Sequence, residues 1–398
     1  MNPAKRIQTL PPYLFAEVDK KVAKAKSKGK DIINLSIGDP DLPTPKPVVE
    51  KLYEAAKNPD THHYPSYVGM KDLRLEISNR MKKRFNADFS EDEICVLIGS
   101  KEGIAHLPLG IINPGDYGIY PDPGYPVYRT SIMFAGGKPV QMPLKQENKF
   151  LPDMDELNKK IKFLSLGKGK TKLMFLNYPN NPTSATIDLK FLKEVVEFAI
   201  ENEILICYDN AYSEMTFDNY VAPTIFEIKE ARETAIEIFS FSKTYNMTGW
   251  RIGFAVGKSE NLNLLKKVKE NFDSGVFNAI QIAAIEALRS KDVESEVRKN
   301  MKIFEERRNV VCEKLEEFGA EFEKPKATFY IWVKVNKEKF KVTEESPSMK
   351  FCDKAIEKGV VLTPGVGFGE YGEGFVRIAI TQSRERITEG IERIKEIF

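Results

Sequence analysis

Six strand-length apolar runs, separated by amphipathic stretches of helical period, constrain the fold of this chain more than any other feature. They are ICVLIG (94–99), YGIYP (117–121), KLMFLNYP (172–179), ILICYD (204–209), AIEIFSFS (235–242) and IGFAVG (252–257). A strand without polar alternation is buried on both faces, and helices between such strands act as crossovers. The expected fold is therefore α/β, with a large, mostly parallel sheet covered by helices. Ligands of such sheets bind beyond the carboxyl ends of the strands. Several runs end there on polar or turn residues: Gly99-Ser100-Lys101, Asn177 to Thr183, Asp209 to Tyr212, and Ser240 to Lys243. These ends predict one shared site.

The pattern changes near residue 287. A long charged helical stretch is followed by ATFYIWVKV, a helix near 347–358, and the strand-like VVLTPG and FVRIAIT. This predicts a smaller α+β unit. The first 45 residues, Pro-rich around Asp39-Pro40-Asp41-Leu42-Pro43, are too few for a core and are expected to pack on that unit. The expected division is a large domain over 46–286 and a discontinuous small domain over 1–45 and 287–398. A chain of 398 residues, 42% of them hydrophobic, has material for two cores.

With 60 basic and 58 acidic residues, the formal net charge is +2, too small a field to imply nucleic acid or a membrane surface as partner. No run approaches the ~20 apolar residues of a membrane span, and the N-terminus does not read as a signal peptide. Cys95, Cys207, Cys312 and Cys352 form no CxxC pair and read as reduced core thiols, as in a cytoplasmic protein. His62, His63 and His106 make no metal pattern, so no metal is expected. Gly367-Phe368-Gly369-Glu370-Tyr371-Gly372 fits GxGxxG but precedes a strand-like run, whereas a dinucleotide fingerprint opens a helix. The expected ligands are small molecules.

The sharpest chemical signal is Ser240-Phe241-Ser242-Lys243-Thr244-Tyr245, with Arg251 eight residues beyond the lysine. A lysine at a buried strand end can lose its proton and attack a carbonyl group, while two serines and an arginine fork suit a phosphate. This segment resembles the lysine segment of the class I/II aminotransferases, fold-type I enzymes that use pyridoxal 5'-phosphate. The rest of the family pattern follows in order over nearly the whole chain.

The resemblance implies a role for each matching residue. Lys243 carries the cofactor. Asp209 keeps the pyridine nitrogen protonated, so that the ring can accept electrons, and Tyr212 bonds the ring hydroxyl. Asn181 touches that hydroxyl and the substrate carboxylate, and Tyr125 stacks on the ring beside the substrate. Ser100 and Lys101, at a helix start, join Ser240, Ser242 and Arg251 around the phosphate. Arg377 grips the α-carboxylate and Gly38 closes over it. Tyr64 reaches the phosphate of a neighbouring subunit, which implies a homodimer with shared sites. The chain departs from the pattern at Ser184, where the family usually has glycine after Pro-Thr.

Within the family, IGSKEGIAHLPLGIINPGDYGIYPDPGYPVYR, together with PPYLF around Tyr13, HHYPSYVGMKDLR and FSKTYNMTGWRIG, resembles the subgroup acting on LL-diaminopimelate in lysine biosynthesis. The implied reaction is amino transfer between LL-diaminopimelate and 2-oxoglutarate, with Tyr13 and Lys101 reading the far end of the donor. Ser274 stands where that subgroup can offer an asparagine. The alternatives are an aspartate or alanine aminotransferase, or a lyase on the same scaffold. The lack of arginine between 271 and 287 disfavours aspartate, whose second carboxylate calls for a second fork.

Overall fold

The computed structural model describes the chain except for Met1, residues 11–19, 21, 24–26, 28, 337 and 339–345. After the two-residue strand β1 (Ile33–Asn34), the chain builds a seven-stranded sheet. Its strands are β2 (Ile94–Leu97), β3 (Tyr117–Asp122), β4 (Lys138–Pro143), β5 (Thr171–Asn177), β6 (Leu205–Asp209), β7 (Ala235–Ser240) and β8 (Gly253–Gly257). Their order is β2-β8-β7-β6-β5-β3-β4. The pairs from β7 through to β4 are parallel, whereas β8 runs antiparallel to both β2 and β7.

Six of these strands coincide with the apolar runs, and the burial of β6 explains why. Ile206 and Tyr208 enter one core, while Leu205 and Cys207 enter a second on the opposite face. Successive side chains point to opposite faces, so both faces are covered. The sequence pattern did not reveal β4. It is an edge strand, its burial alternates, and Pro139 and Pro143 remove donors that an inner strand would need.

A smaller antiparallel sheet follows from β9 (Glu321–Phe322), β10 (Tyr330–Lys334), β12 (Thr363–Pro364) and β13 (Phe375–Ala379), in the order β12-β13-β10-β9. Between them β11 (Val360–Val361) pairs in parallel with β1. Leu35 continues this tie by accepting the Ala379 N–H at 2.7 Å. Ile33 and Leu35 lie in one core with Phe304, Phe329 and Ile378. On this basis we propose the division into 46–286 and 1–45 with 287–398. Among the described residues, no helix is long and apolar enough to cross a membrane. All four cysteines are buried.

Phe175 on β5 is fully buried and stacks on the Tyr128 ring at 5.0 Å. Phe175→Ala should cost about 3–5 kcal/mol through the cavity it leaves. Urea unfolding of the variant should show a correspondingly lower midpoint.

Candidate active site

The carboxyl ends of β2, β5, β6 and β7 lie along one edge of the large sheet because these strands run the same way. The reversed strand β8 instead presents its amino end there, which delivers Arg251 to the same edge. A cavity of about 290 Å³ lies along this edge. Of the residues singled out in the sequence, Gly38, Ser100, Lys101, Tyr125, Asn181, Asp209, Tyr212, Ser240, Ser242, Lys243, Arg251 and Arg377 line it. Tyr64 does not. It is 89% exposed. Ser274 is also exposed and outside the cavity lining, and Tyr13 lies outside the described residues.

Lys243 sits on a single helical turn, Phe241–Thr244, capped by the Ser240 side chain, which accepts the Ser242 N–H. Its Nζ donates to the Gly38 carbonyl at 2.9 Å. Burial pulls the Lys243 amine down to about 8. Asp209 is raised by the same cause. Burial pushes its carboxyl up to about 6, against the Tyr128 hydroxyl that donates to Oδ2 at 2.7 Å. The other oxygen, Oδ1, is buried without a hydrogen-bond partner.

Arg377 lies in β13, 4% exposed. Its Nη1 donates to Asn181 Oδ1 and its Nη2 to the Ser36 carbonyl, both at 2.7 Å, while Nε has no partner. No carboxylate among the described residues pairs with it. A guanidinium so placed can receive an incoming anion favourably, because an unpaired buried charge is costly. Burial lowers its pKa from the ordinary arginine range.

The start of the helix Ser100–Ile111 also reaches the cavity, through Ser100 and Lys101, and backbone N–H groups and the helix dipole there favour negative charge. Gly99 caps it at φ 73°. A Cβ there would lie 2.4 Å from Arg251 Nη2, so only glycine lets the fork approach the helix start. Ser240 and Ser242 line the same cavity.

Several lining residues were not found from the sequence. Tyr128 follows Tyr125 by three residues, in the first turn of the helix Val127–Phe134, a placement that also describes ordinary packing. Asn177 closes β5 and fixes the loop beyond it. Its Nδ2 donates to the Asp209 carbonyl at 2.8 Å and its Oδ1 accepts the Asn181 N–H at 2.9 Å. Tyr330 and Phe368 come from the smaller sheet and its loop. Ser184 adopts φ 60°, the conformation that glycine takes most readily, and its hydroxyl donates to the Tyr330 carbonyl at 2.8 Å.

Glu102, His106 and Asp273 bring ligand atoms within 4.8 Å of one another. The Lys269 ammonium already occupies this cluster, 3.1 Å from Glu102 and 2.8 Å from Asp273.

At neutral pH Asp209 is ionised in a dry setting that disfavours its charge. A carboxyl raised by folding supports stability below its unfolded pKa, and that support is lost as pH rises through about 6. Asp209→Asn should therefore raise the melting temperature of the cofactor-free protein at pH 7 and leave it little changed near pH 4. Lower stability of the variant at pH 7 would contradict this.

The model of the aminotransferase class I and II family matches residues 30–394. LL-diaminopimelate aminotransferases from Halothermothrix orenii and Aquifex aeolicus are both 48% identical to this chain. The alignments cover 99% and 98% of it and 98% of each relative. Substrate-bound BacF from Bacillus subtilis superposes with a TM-score of 0.89 at 36% identity, over 100% of this chain and 97% of that one. Aspartate aminotransferase from Thermus thermophilus with maleate has a TM-score of 0.90 at 24% identity and covers both chains completely, a likeness of fold alone. The chain belongs to the class I and II aminotransferases.

Proposed function

We propose that this aminotransferase uses pyridoxal 5'-phosphate to move the amino group of LL-diaminopimelate to 2-oxoglutarate, as a cytoplasmic homodimer. The observation that carries the reaction class is Arg377, a buried fork without an acidic partner and a receptor for the α-carboxylate that donor and acceptor share. The choice of donor rests on the full-length similarity to LL-diaminopimelate aminotransferases.

The residues fit the cofactor. The unpartnered Asp209 Oδ1 suits a protonated ring nitrogen, whose positive charge would draw Asp209 back toward its ionised form. Ser100, Lys101, Ser240, Ser242 and Arg251 suit a phosphate, and Tyr125 offers an aromatic face. Tyr212 and Asn181 are assigned to the ring hydroxyl. When bound, the cofactor supplies an electron sink for a substrate that loses its α-proton.

The protein residues do the rest. With its amine drawn down to about 8, Lys243 is partly unprotonated near neutral pH, and so would be able to hold the cofactor and to take up the substrate α-proton. Arg377 orients the carboxylate through two parallel bonds and so fixes the direction in which the α-proton leaves. Gly38 closes over that carboxylate, and Tyr13 and Lys101 are assigned to the far end of the long donor.

A donor screen with 2-oxoglutarate as acceptor tests this. Glutamate should form from LL-diaminopimelate and not from aspartate or alanine; comparable kcat/KM with either of the short donors would overturn the choice of donor. Lys243→Ala should abolish turnover. Arg377→Lys keeps the charge but loses the fork, and should lower kcat/KM in both half-reactions by about 2–4 kcal/mol.

Shared sites make a separate prediction. Mixing inactive Lys243→Ala with a Tyr64 variant that retains cofactor poorly should recover part of the activity. A fully active monomer in solution would rule out the shared arrangement.

A further inference from the structure

We infer that Tyr330 is a positioning residue that directs the Tyr212 hydroxyl and fixes the Arg377 guanidinium. The inference rests on the function proposed above, which gives Tyr330 no role. Tyr330 opens β10, is 3% exposed and lines the cavity.

Its backbone is held from both sides. The Ser184 hydroxyl donates to its carbonyl at 2.8 Å, and its own N–H donates to the Thr328 hydroxyl at 3.1 Å. The two hydroxyls lie 2.7 Å apart. Since Ser184 gives its proton to the carbonyl, Thr328 is the donor between them, and each hydroxyl proton is used once. Ser184 and Thr328 stand at φ 60° and 68°, a region that residues other than glycine seldom adopt, a β-branched one such as Thr328 least of all. This closed set of bonds pins the strand where it meets the cavity.

Two contacts of the side chain bear on the site. Its hydroxyl lies 3.1 Å from the Tyr212 hydroxyl, and the Arg377 guanidinium carbon lies 4.1 Å from its ring centroid. Tyr212 has one proton. If that proton is aimed at the ring oxygen of the cofactor, only lone pairs remain for Tyr330, so Tyr330 must donate to Tyr212. Gly38 leaves room for the Tyr330 hydroxyl, since a Cβ added there would lie 1.8 Å from the tyrosine oxygen. The same glycine carbonyl accepts the Lys243 N–H. Tyr330 thus touches the glycine whose carbonyl holds the amine, the ring-hydroxyl tyrosine and the carboxylate fork.

Two substitutions separate its two contacts. Tyr330→Phe keeps the ring against Arg377 and removes the hydroxyl. A Tyr212 proton that is no longer directed stabilises the deprotonated ring oxygen less. The apparent pKa read from the pH dependence of the bound cofactor's visible absorption should therefore move upward, and the dissociation constant of pyridoxal phosphate should rise a few-fold. Binding of glutarate, an acceptor analogue without the reacting carbonyl, should change by less than about two-fold. Tyr330→Leu removes both contacts and should weaken glutarate binding by about ten-fold.

Tyr212→Phe alone should give the same upward shift, and adding Tyr330→Phe should give no more, because the two act through one bond. An unshifted pKa in Tyr330→Phe, or full additivity with Tyr212→Phe, overturns the hydroxyl role. Unchanged glutarate affinity in Tyr330→Leu overturns the guanidinium role. A wild-type chain that takes up no pyridoxal phosphate sinks the proposed function and this inference with it. A wild-type chain that takes it up normally, beside an unshifted Tyr330→Phe, sinks this inference alone.

Discussion

Desolvation of three charged groups, two basic and one acidic, around one cavity is the constraint on which the site depends. Lys243, Asp209 and Arg377 all line it, and burial is the largest influence on each. It lowers the amine and the guanidinium and raises the carboxyl, because in each case it disfavours the charged form. The three are not paired with one another. Each is held instead by neutral groups: Lys243 by the Gly38 carbonyl, Asp209 by the Tyr128 hydroxyl, and Arg377 by Asn181 and the Ser36 carbonyl. Neutral partners fix geometry without cancelling charge, so a charged ligand meets groups that still lack a counter-ion. In a dry setting that attraction is stronger than in water.

The topology supplies these partners from distant parts of the chain. Parallel strands present their carboxyl ends to one edge, and the reversed β8 adds its amino end, so residues from 99 to 251 share a site that no local motif could build. The N-terminal segment adds its backbone. Once β1 pairs with β11, the residues just beyond it run past Arg377 and Lys243, and the Ser36 and Gly38 carbonyls become their acceptors. Packing of Ile33 and Leu35 in the core of the smaller sheet therefore helps to orient groups at the cavity.

What could be read from the sequence follows the same physics. Strands buried on both faces, the edge strand β2 among them, were legible because such burial leaves unbroken apolar runs. The edge strand β4 was not, because it alternates and contains two prolines. Strand-end residues such as Asp209 and Lys243 stood out because polar groups interrupt apolar context there. Tyr128 and Tyr330 did not stand out, since a buried tyrosine on a helix or in an apolar strand has the same pattern whether it packs or positions. Ser184 was visible only as a departure from a glycine. Its left-handed backbone and its bond to Tyr330 appear once the two sheets are seen together.

Two buried carboxylates on neighbouring strands show what separates a structural burial from a functional one. Glu237 on β7 is fully buried and pushed up to about 8, so it is largely protonated at neutral pH. Both its oxygens are engaged, by the Asn210 amide at 2.7 Å and by the Thr224 hydroxyl. Such a group is complete and asks for nothing from outside. Asp209 is pushed up only to about 6, remains largely ionised at neutral pH, and keeps one oxygen without a partner. A native protein satisfies nearly all its buried polar atoms, so an ionised oxygen left open beside a cavity is an acceptor kept for a ligand. Burial alone does not distinguish the two residues. The unpartnered oxygen does, and among the described residues Arg377 Nε repeats the same signature at the same cavity with opposite charge.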